Sequence, residues 1–304
     1  MDEKQLRQLL AELYGGRKAT AEDFRALLEC AQKGNLYASV YIAQCYYYGE
    51  GVAQDYRQSV KWYRKAAEQG DEVAQLDLGS AYYHGEGIRK NFRKAVYWYE
   101  QAVAQGYATA QYYLGNFYYN GIGVKKDYRK AVELYRKAAE QGEVEAQNDL
   151  GYCYLEGIGI RKNYKQAAYW FSKAAEEGAS EAQCSLGYLC NYGLGLPKDK
   201  QKALEWYRKA AENGSPSAQF NMGLSYEEGN LGLSQDYEKA AQWYEKAAHQ
   251  GDAFAQCNLG ILYEKGLGVA KDATKAMALY QAAAEQGDRI ARKNLKACQA
   301  DNKP

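Results

Sequence analysis

The sequence predicts an all-α chain, an α/α superhelical solenoid of helix–turn–helix repeats. Three observations carry that expectation. A glycine closes a helix-like run at Gly34, Gly70, Gly106, Gly142, Gly178, Gly214, Gly251 and Gly287, spaced 36 residues apart except for one 37-residue step after Gly214. Between these glycines a second punctuation recurs: GEG at 49–51 and 85–87, GIG at 121–123 and 157–159, GNLG at 229–232, and GLG at 193–195 and 266–268. The composition is also lopsided, with 31 Tyr against 3 Pro. Self-similarity at such a period marks stacked supersecondary units, each unable to bury its apolar face alone.

The elements follow in order. Residues 1–34 read as an N-terminal helical cap. Leu6, Leu9, Leu10 and Leu13 fall at helical spacing, and Thr20 caps a second helix that runs to Lys33. Seven repeats follow, at 35–70, 71–106, 107–142, 143–178, 179–214, 215–251 and 252–287. Positions are counted here from the residue after each closing glycine. Helix A spans about positions 2–14 and helix B about 22–35.

Helix A keeps Ala at position 4, Leu, Ile or Met at 8 and Gly or Ala at 9, with an aromatic at 12 in most repeats; these fall on one arc of the helix. Helix B keeps small residues at 25 and bulky aromatics at 28 and 29, such as Trp98–Tyr99, so large faces small. In the loop, the first glycine suits a left-handed helix end and the second a tight reversal. An apolar residue then plugs the gap, and Asp or Asn three residues later (Asp55, Asn91, Asp127, Asn163, Asp199, Asp236, Asp272) caps helix B.

The extra residue in GNLGLSQD should bulge the sixth loop without shifting either helix. Residues 288–304 read as a C-terminal capping helix and tail. Ala291 and Leu295 are kept, but Lys296 stands where the other repeats carry Gly, and the final NKP should fray.

A two-glycine loop ahead of a helix can cradle phosphate, and YYHGEGIRKN (82–91) has that form. A nucleotide site is needed once, whereas this loop occurs seven times, so its role is structural. The pattern A-x-x-x-L-G-x-x-Y-x-x-G-x-G-V followed by D-Y-x-K-A-x-x-W-Y-x-K-A-A-E-Q-G, nearly complete over 110–142, resembles the Sel-one-like repeat, a relative of the tetratricopeptide repeat. The resemblance covers 35–287. It implies an α/α superhelix that binds other proteins, with helix A lining the concave surface.

Other chemistry finds little footing. The net charge of +1 favours neither nucleic acid nor an anionic membrane. No apolar run approaches the roughly 20 residues of a membrane span. The start MDEKQLRQLLAELYGG lacks a signal-peptide core, which with seven scattered cysteines leads us to expect a cytoplasmic protein with reduced thiols. His84 and His249 are isolated, so no catalytic triad or metal site can be assembled and no cofactor is expected. Cys184 and Cys190 lie six apart on one helix and project differently, so no disulfide is expected between them. A cysteine-rich branch of the resembling family pairs its cysteines regularly and includes members assigned a β-lactam-directed hydrolase activity. This chain departs from that pattern, and the activity is not carried over.

Variation among the repeats points to a binding face. Positions 4, 8 and 9 barely vary, while 3, 6, 10 and 13 vary freely and fall roughly opposite the core arc of the helix. The candidate partner-binding residues are Tyr47, Tyr83, Tyr112, Asn116, Tyr119, Tyr152, Tyr188, Glu227, Glu228 and Glu264. The first repeats present a tyrosine ladder at position 13 and the last two present carboxylates. The competing reading is that position 13 packs against the neighbouring repeat. The expected function is a non-enzymatic scaffold or adaptor that holds a protein segment. The alternative within binding is an immunity-type partner that neutralises a bacterial toxin or enzyme. The oligomeric state is left open.

Overall fold

The computed structural model describes residues 2–301; the expected fraying of NKP lies outside them. Among the described residues there are seventeen helices and no strand. The chain divides into two compact bodies, residues 1–146 and 147–304.

The N-terminal body holds α1 (Glu3–Tyr14), α2 (Ala21–Gln32), α3 (Leu36–Tyr48), α4 (Tyr56–Ala67), α5 (Glu72–His84), α6 (Phe92–Ala104), α7 (Ala108–Asn120), α8 (Tyr128–Glu140) and the first turn of α9 (Val144–Glu156). The C-terminal body holds the rest of α9, then α10 (Tyr164–Glu176), α11 (Ser180–Tyr192), α12 (Lys200–Glu212), α13 (Pro216–Glu228), α14 (Tyr237–His249), α15 (Ala253–Lys265), α16 (Ala273–Glu285) and α17 (Arg289–Asp301). From α3 to α15 the odd-numbered helices are helix A, and from α4 to α16 the even-numbered ones are helix B. Each body is an α/α solenoid segment; consecutive helices pack on one another from α2 to α8 in the first and from α10 to α17 in the second. Leu6, Leu10 and Leu13 of α1 join Phe24 and Leu27 of α2 and Ile42 of α3 in one apolar cluster.

The second repeat shows why the sequence folds this way. Gly85 ends α5 in the left-handed conformation and sends its N–H back to the Ala81 carbonyl. Asn91 then starts α6, its side chain accepting from the Lys94 N–H. Gly87, at positive φ, lies against the start of α4, where a Cβ would collide with the Tyr56 carbonyl. The second loop glycine is therefore a docking point between successive repeats as well as a reversal. Gly79 serves inside the repeat: a Cβ there would sit 2.7 Å from the Tyr99 ring. That ring at position 29 is the core of its repeat, with Tyr99, Tyr135, Phe171, Tyr244 and Tyr280 all nearly inaccessible. The neighbouring Trp62 and Trp98 at position 28 are only half-buried.

A buried amide ladder ties the repeats together. Gln75 Nε2 donates to the Ala67 carbonyl at the end of α4, 3.2 Å away, and Gln75 Oε1 accepts from Gln105 Nε2 at 2.9 Å. The acceptor half recurs in the pairs Gln111–Gln141, Gln183–Asn213, Gln219–Gln250 and Gln256–Gln286. Each ladder residue sits at position 5, beside the small Ala of position 4. Leaving such a buried amide unpaired costs about 1–3 kcal/mol, so the glutamine belongs to the fold rather than to a site. The sixth loop absorbs its extra residue at Leu231, which takes φ 54° and buries its side chain, while α13 and α14 keep 13 residues each.

Candidate functional site

In the N-terminal body the position-13 tyrosines are not the free ladder that the helical wheel suggests. Tyr47, Tyr83 and Tyr119 are each half-buried. Each ring meets the first aromatic of the following helix, Tyr47 with Tyr56 at 5.2 Å, Tyr83 with Phe92 at 5.6 Å and Tyr119 with Tyr128 at 5.1 Å. Tyr83 also packs on Phe117 of the next repeat at 5.2 Å, and Tyr47 donates from its hydroxyl to Glu86 at 3.0 Å. The wheel gives direction relative to a residue's own helix. It does not report that helix B begins with an aromatic tall enough to cover the last turn of helix A.

Tyr112 is also half-buried, 6.0 Å from the Tyr135 ring, and Asn116 accepts from the Tyr135 hydroxyl at 2.6 Å. The exposed rings on the A helices of this body are others: Tyr37, Tyr48 and Tyr113, at positions 3, 14 and 7. Position 14 is the last residue before the loop glycine, and its proximity to the helix end was the available signal for Tyr48.

In the C-terminal body Tyr152 and Tyr188, both at position 10, lie in solvent at 46% and 42% exposure. Tyr192, one turn beyond Tyr188 on α11, is more exposed still, and the two rings meet at 4.8 Å. The sequence reading omitted Tyr192. Of the carboxylates, Glu228 is exposed and accepts from Asn230 at 2.6 Å. Glu227 and Glu264 are half-buried, and each accepts from a buried tyrosine hydroxyl at 2.6 Å, from Tyr244 and Tyr280 respectively. Burial first, and then the carboxylate partner, hold both phenols well above the usual tyrosine range.

The face has little reactive chemistry. Burial pushes the thiols of Cys45, Cys153, Cys184 and Cys257 up to about 12, so they stay protonated near neutral pH. None of the seven cysteines is in a disulfide. His84 is exposed and stacks edgewise on Tyr83 at 4.7 Å. Among the described residues no group of three or more His, Cys, Asp or Glu is placed to hold a metal. No described helix is long and apolar enough to cross a membrane.

No curated protein sequence matches the chain. Among solved structures it is similar to a protective antigen of uropathogenic Escherichia coli displaying an SLR fold, at 35% identity and a TM-score of 0.74, covering 98% of this chain and 68% of that one. It is also similar to a Sel1 repeat protein from Oxalobacter formigenes, at 36% identity and a TM-score of 0.72, covering 91% and 80%. The Sel1 repeat model matches residues 36–71, 73–107, 108–143, 144–178, 180–215, 216–252 and 253–288. With seven consecutive matches, the chain belongs to the Sel1 repeat family.

Proposed function

We propose that this protein is a non-enzymatic interaction scaffold that holds a protein segment against the exposed rings of its odd-numbered helices. Sel1 repeat proteins generally mediate protein–protein interaction. The observation that carries the proposal here is the exposed set Tyr152, Tyr188 and Tyr192 on α9 and α11. Rings with few rotatable bonds and a polar tip offer large contact area at low entropic cost, and they are over-represented among interface hot spots. Buried, protonated thiols and the lack of a clustered metal-ligand set among the described residues support binding over catalysis.

The test is site-specific photo-crosslinking from position 188, with position 205 on α12 as the control. A partner that crosslinks from position 188 and not from 205, and whose affinity falls when Tyr152 and Tyr188 are replaced by Ala, supports the reading. Crosslinks from 205 alone would move binding to the opposite surface.

A further inference from the structure

One place in the N-terminal body gathers three polar side chains around a cavity. Position 25 is Ala in six repeats and Ser59 in the first; position 16 is Ile or Leu in the third, fourth, fifth and seventh repeats and glutamate, Glu50 and Glu86, in the first two. Position 7 of the second repeat is Asp77, as it is Asp149 in the fourth, whereas the flanking repeats carry Tyr41 and Tyr113. Ser59, Asp77 and Glu86 line one cavity of about 170 Å³ between α3, α4 and α5, with Tyr47, Tyr48 and Tyr56 in its wall.

The cavity lacks a partner for what it contains. Ser59 is 1% exposed and its hydroxyl has no hydrogen-bond partner. A buried hydroxyl left unpaired is costly, and alanine would fill the position as it does in the other repeats. Asp77 accepts from the Tyr63 hydroxyl and Glu86 from Tyr47, but both are neutral donors. None of the ion pairs among the described residues involves either carboxylate. Burial pushes the Asp77 carboxyl up to about 6, the mark of an anion held without a countercharge.

We infer that this cavity is a receptor for a lysine side chain of the bound protein, its ammonium meeting Asp77, Glu86 and the Ser59 hydroxyl against tyrosine rings. The identity of the lysine's bearer rests on the binding role proposed above; the cavity's affinity for an alkylammonium does not. Three acceptor groups around a small volume suit the three donors of an ammonium, and the ring faces add cation–π attraction. A guanidinium fork needs a carboxylate that presents both oxygens freely. Here each carboxylate already accepts one hydrogen bond. Two carboxylates alone are also too few for a protein-held metal site.

The probe is Nα-acetyl-lysine methylamide, followed by ¹⁵N NMR on the full chain, with the norleucine and arginine analogues alongside. The expected result is saturable binding of the lysine analogue, with Kd on the order of millimolar, and shifts centred on residues 47–86. Asp77→Asn should weaken it about tenfold or more, the loss of one charge-assisted contact. Ser59→Ala and Glu86→Ile install residues that other repeats of this chain already carry, so they should fold, and each should weaken binding by about threefold to tenfold. Equal binding of the norleucine analogue, tighter binding of the arginine analogue, no saturable shift, or undiminished binding in folded Asp77→Asn would each overturn the assignment. None of these outcomes depends on the crosslinking result, so the cavity and the scaffold role can fail separately.

Discussion

Position 13 of helix A is Tyr in the first three repeats and Glu in the last two, yet both kinds of side chain are half-buried. In the N-terminal body Tyr83 and Tyr119 lean on the next helix; the buried ring hydroxyl at position 29 is satisfied from position 10 in the second and third repeats, Tyr99 by Ser80 and Tyr135 by Asn116, and by Asp77 of the next repeat for Tyr63 in the first. In the sixth and seventh repeats position 10 is Leu224 or Ile261, which cannot accept, and Glu227 and Glu264 at position 13 take over. The fourth repeat has Phe171 at position 29 and so has no hydroxyl to satisfy; its positions 10 and 13 are Tyr152 and Leu155. Much of the variation along this face is therefore compensated hydrogen bonding around one buried ring. Variation alone does not mark a free surface. What is left after the compensation is removed, Tyr152 above all, is the better guide to binding.

The comparison can be broken most forcefully at the ring itself. Tyr135→Ala should cost about 3–5 kcal/mol in denaturant unfolding, the usual loss for emptying a buried aromatic position, because the ring is 2% exposed and lies against Gly115. Trp98→Ala, one residue earlier in its own repeat and only half-buried, should cost clearly less. Equal losses would mean that the two aromatics share the core.

A double-mutant cycle sharpens the acceptor argument. Glu264→Leu should cost about 1–3 kcal/mol by leaving the Tyr280 hydroxyl proton without its acceptor, Asn294 remaining beside the oxygen, and adding Tyr280→Phe should recover most of it. If Glu264→Leu is harmless, the carboxylate is not the acceptor that the fold needs, and position 13 reverts to a candidate contact surface.

Helix positions, caps and loops were legible almost to the residue because glycine, Asp/Asn and aromatic residues recur in register and each has a local cause. The exposure of the candidate site was legible only in part. Tyr152 and Tyr188 project from the middle of helix A, where the wheel angle decides. Tyr47, Tyr83 and Tyr119 sit in the last turn, where the first aromatic of helix B decides, and a single-helix projection does not contain that ring. The Ser59 cavity was hidden for a related reason: Ser59, Asp77 and Glu86 come from two repeats and a loop. Their juxtaposition also has a pH signature. Burial raises the Asp77 carboxyl to about 6, the Asp71 charge adding to it and the Tyr63 hydrogen bond opposing it. A raised folded-state value means a stability contribution that is complete below the ordinary carboxylate value of 3.8 and lost as pH rises through about 6. The thermal midpoint of the wild type minus that of Asp77→Asn should therefore be larger near about pH 4 than near about pH 7. A flat difference would place the Asp77 carboxylate in water.

The smallest stability effect is the most informative about function. Tyr152 and Tyr188 are about half-exposed, whereas Tyr83 touches Phe92 and Phe117. Truncating a solvent-facing ring away from special features should change stability by only about ±0.5 kcal/mol, so Tyr152→Ala and Tyr188→Ala should unfold with the wild type. Tyr83→Ala should unfold earlier, by about 1 kcal/mol, because aromatic pairs contribute about 0.5–1.5 kcal/mol beyond the area they bury. Binding should sort the variants the other way: a hot-spot ring costs about 2 kcal/mol or more in affinity when removed, and that loss should fall on the Tyr152 and Tyr188 variants. Paired calorimetry of unfolding and of partner binding on the three variants reads both orders at once. If Tyr83→Ala loses affinity without losing stability, the tyrosine ladder of the N-terminal body is the contact surface after all, and its packing against helix B is incidental. If Tyr152→Ala or Tyr188→Ala destabilises the fold instead, those rings belong to the core and the exposed set that carries the scaffold proposal is gone.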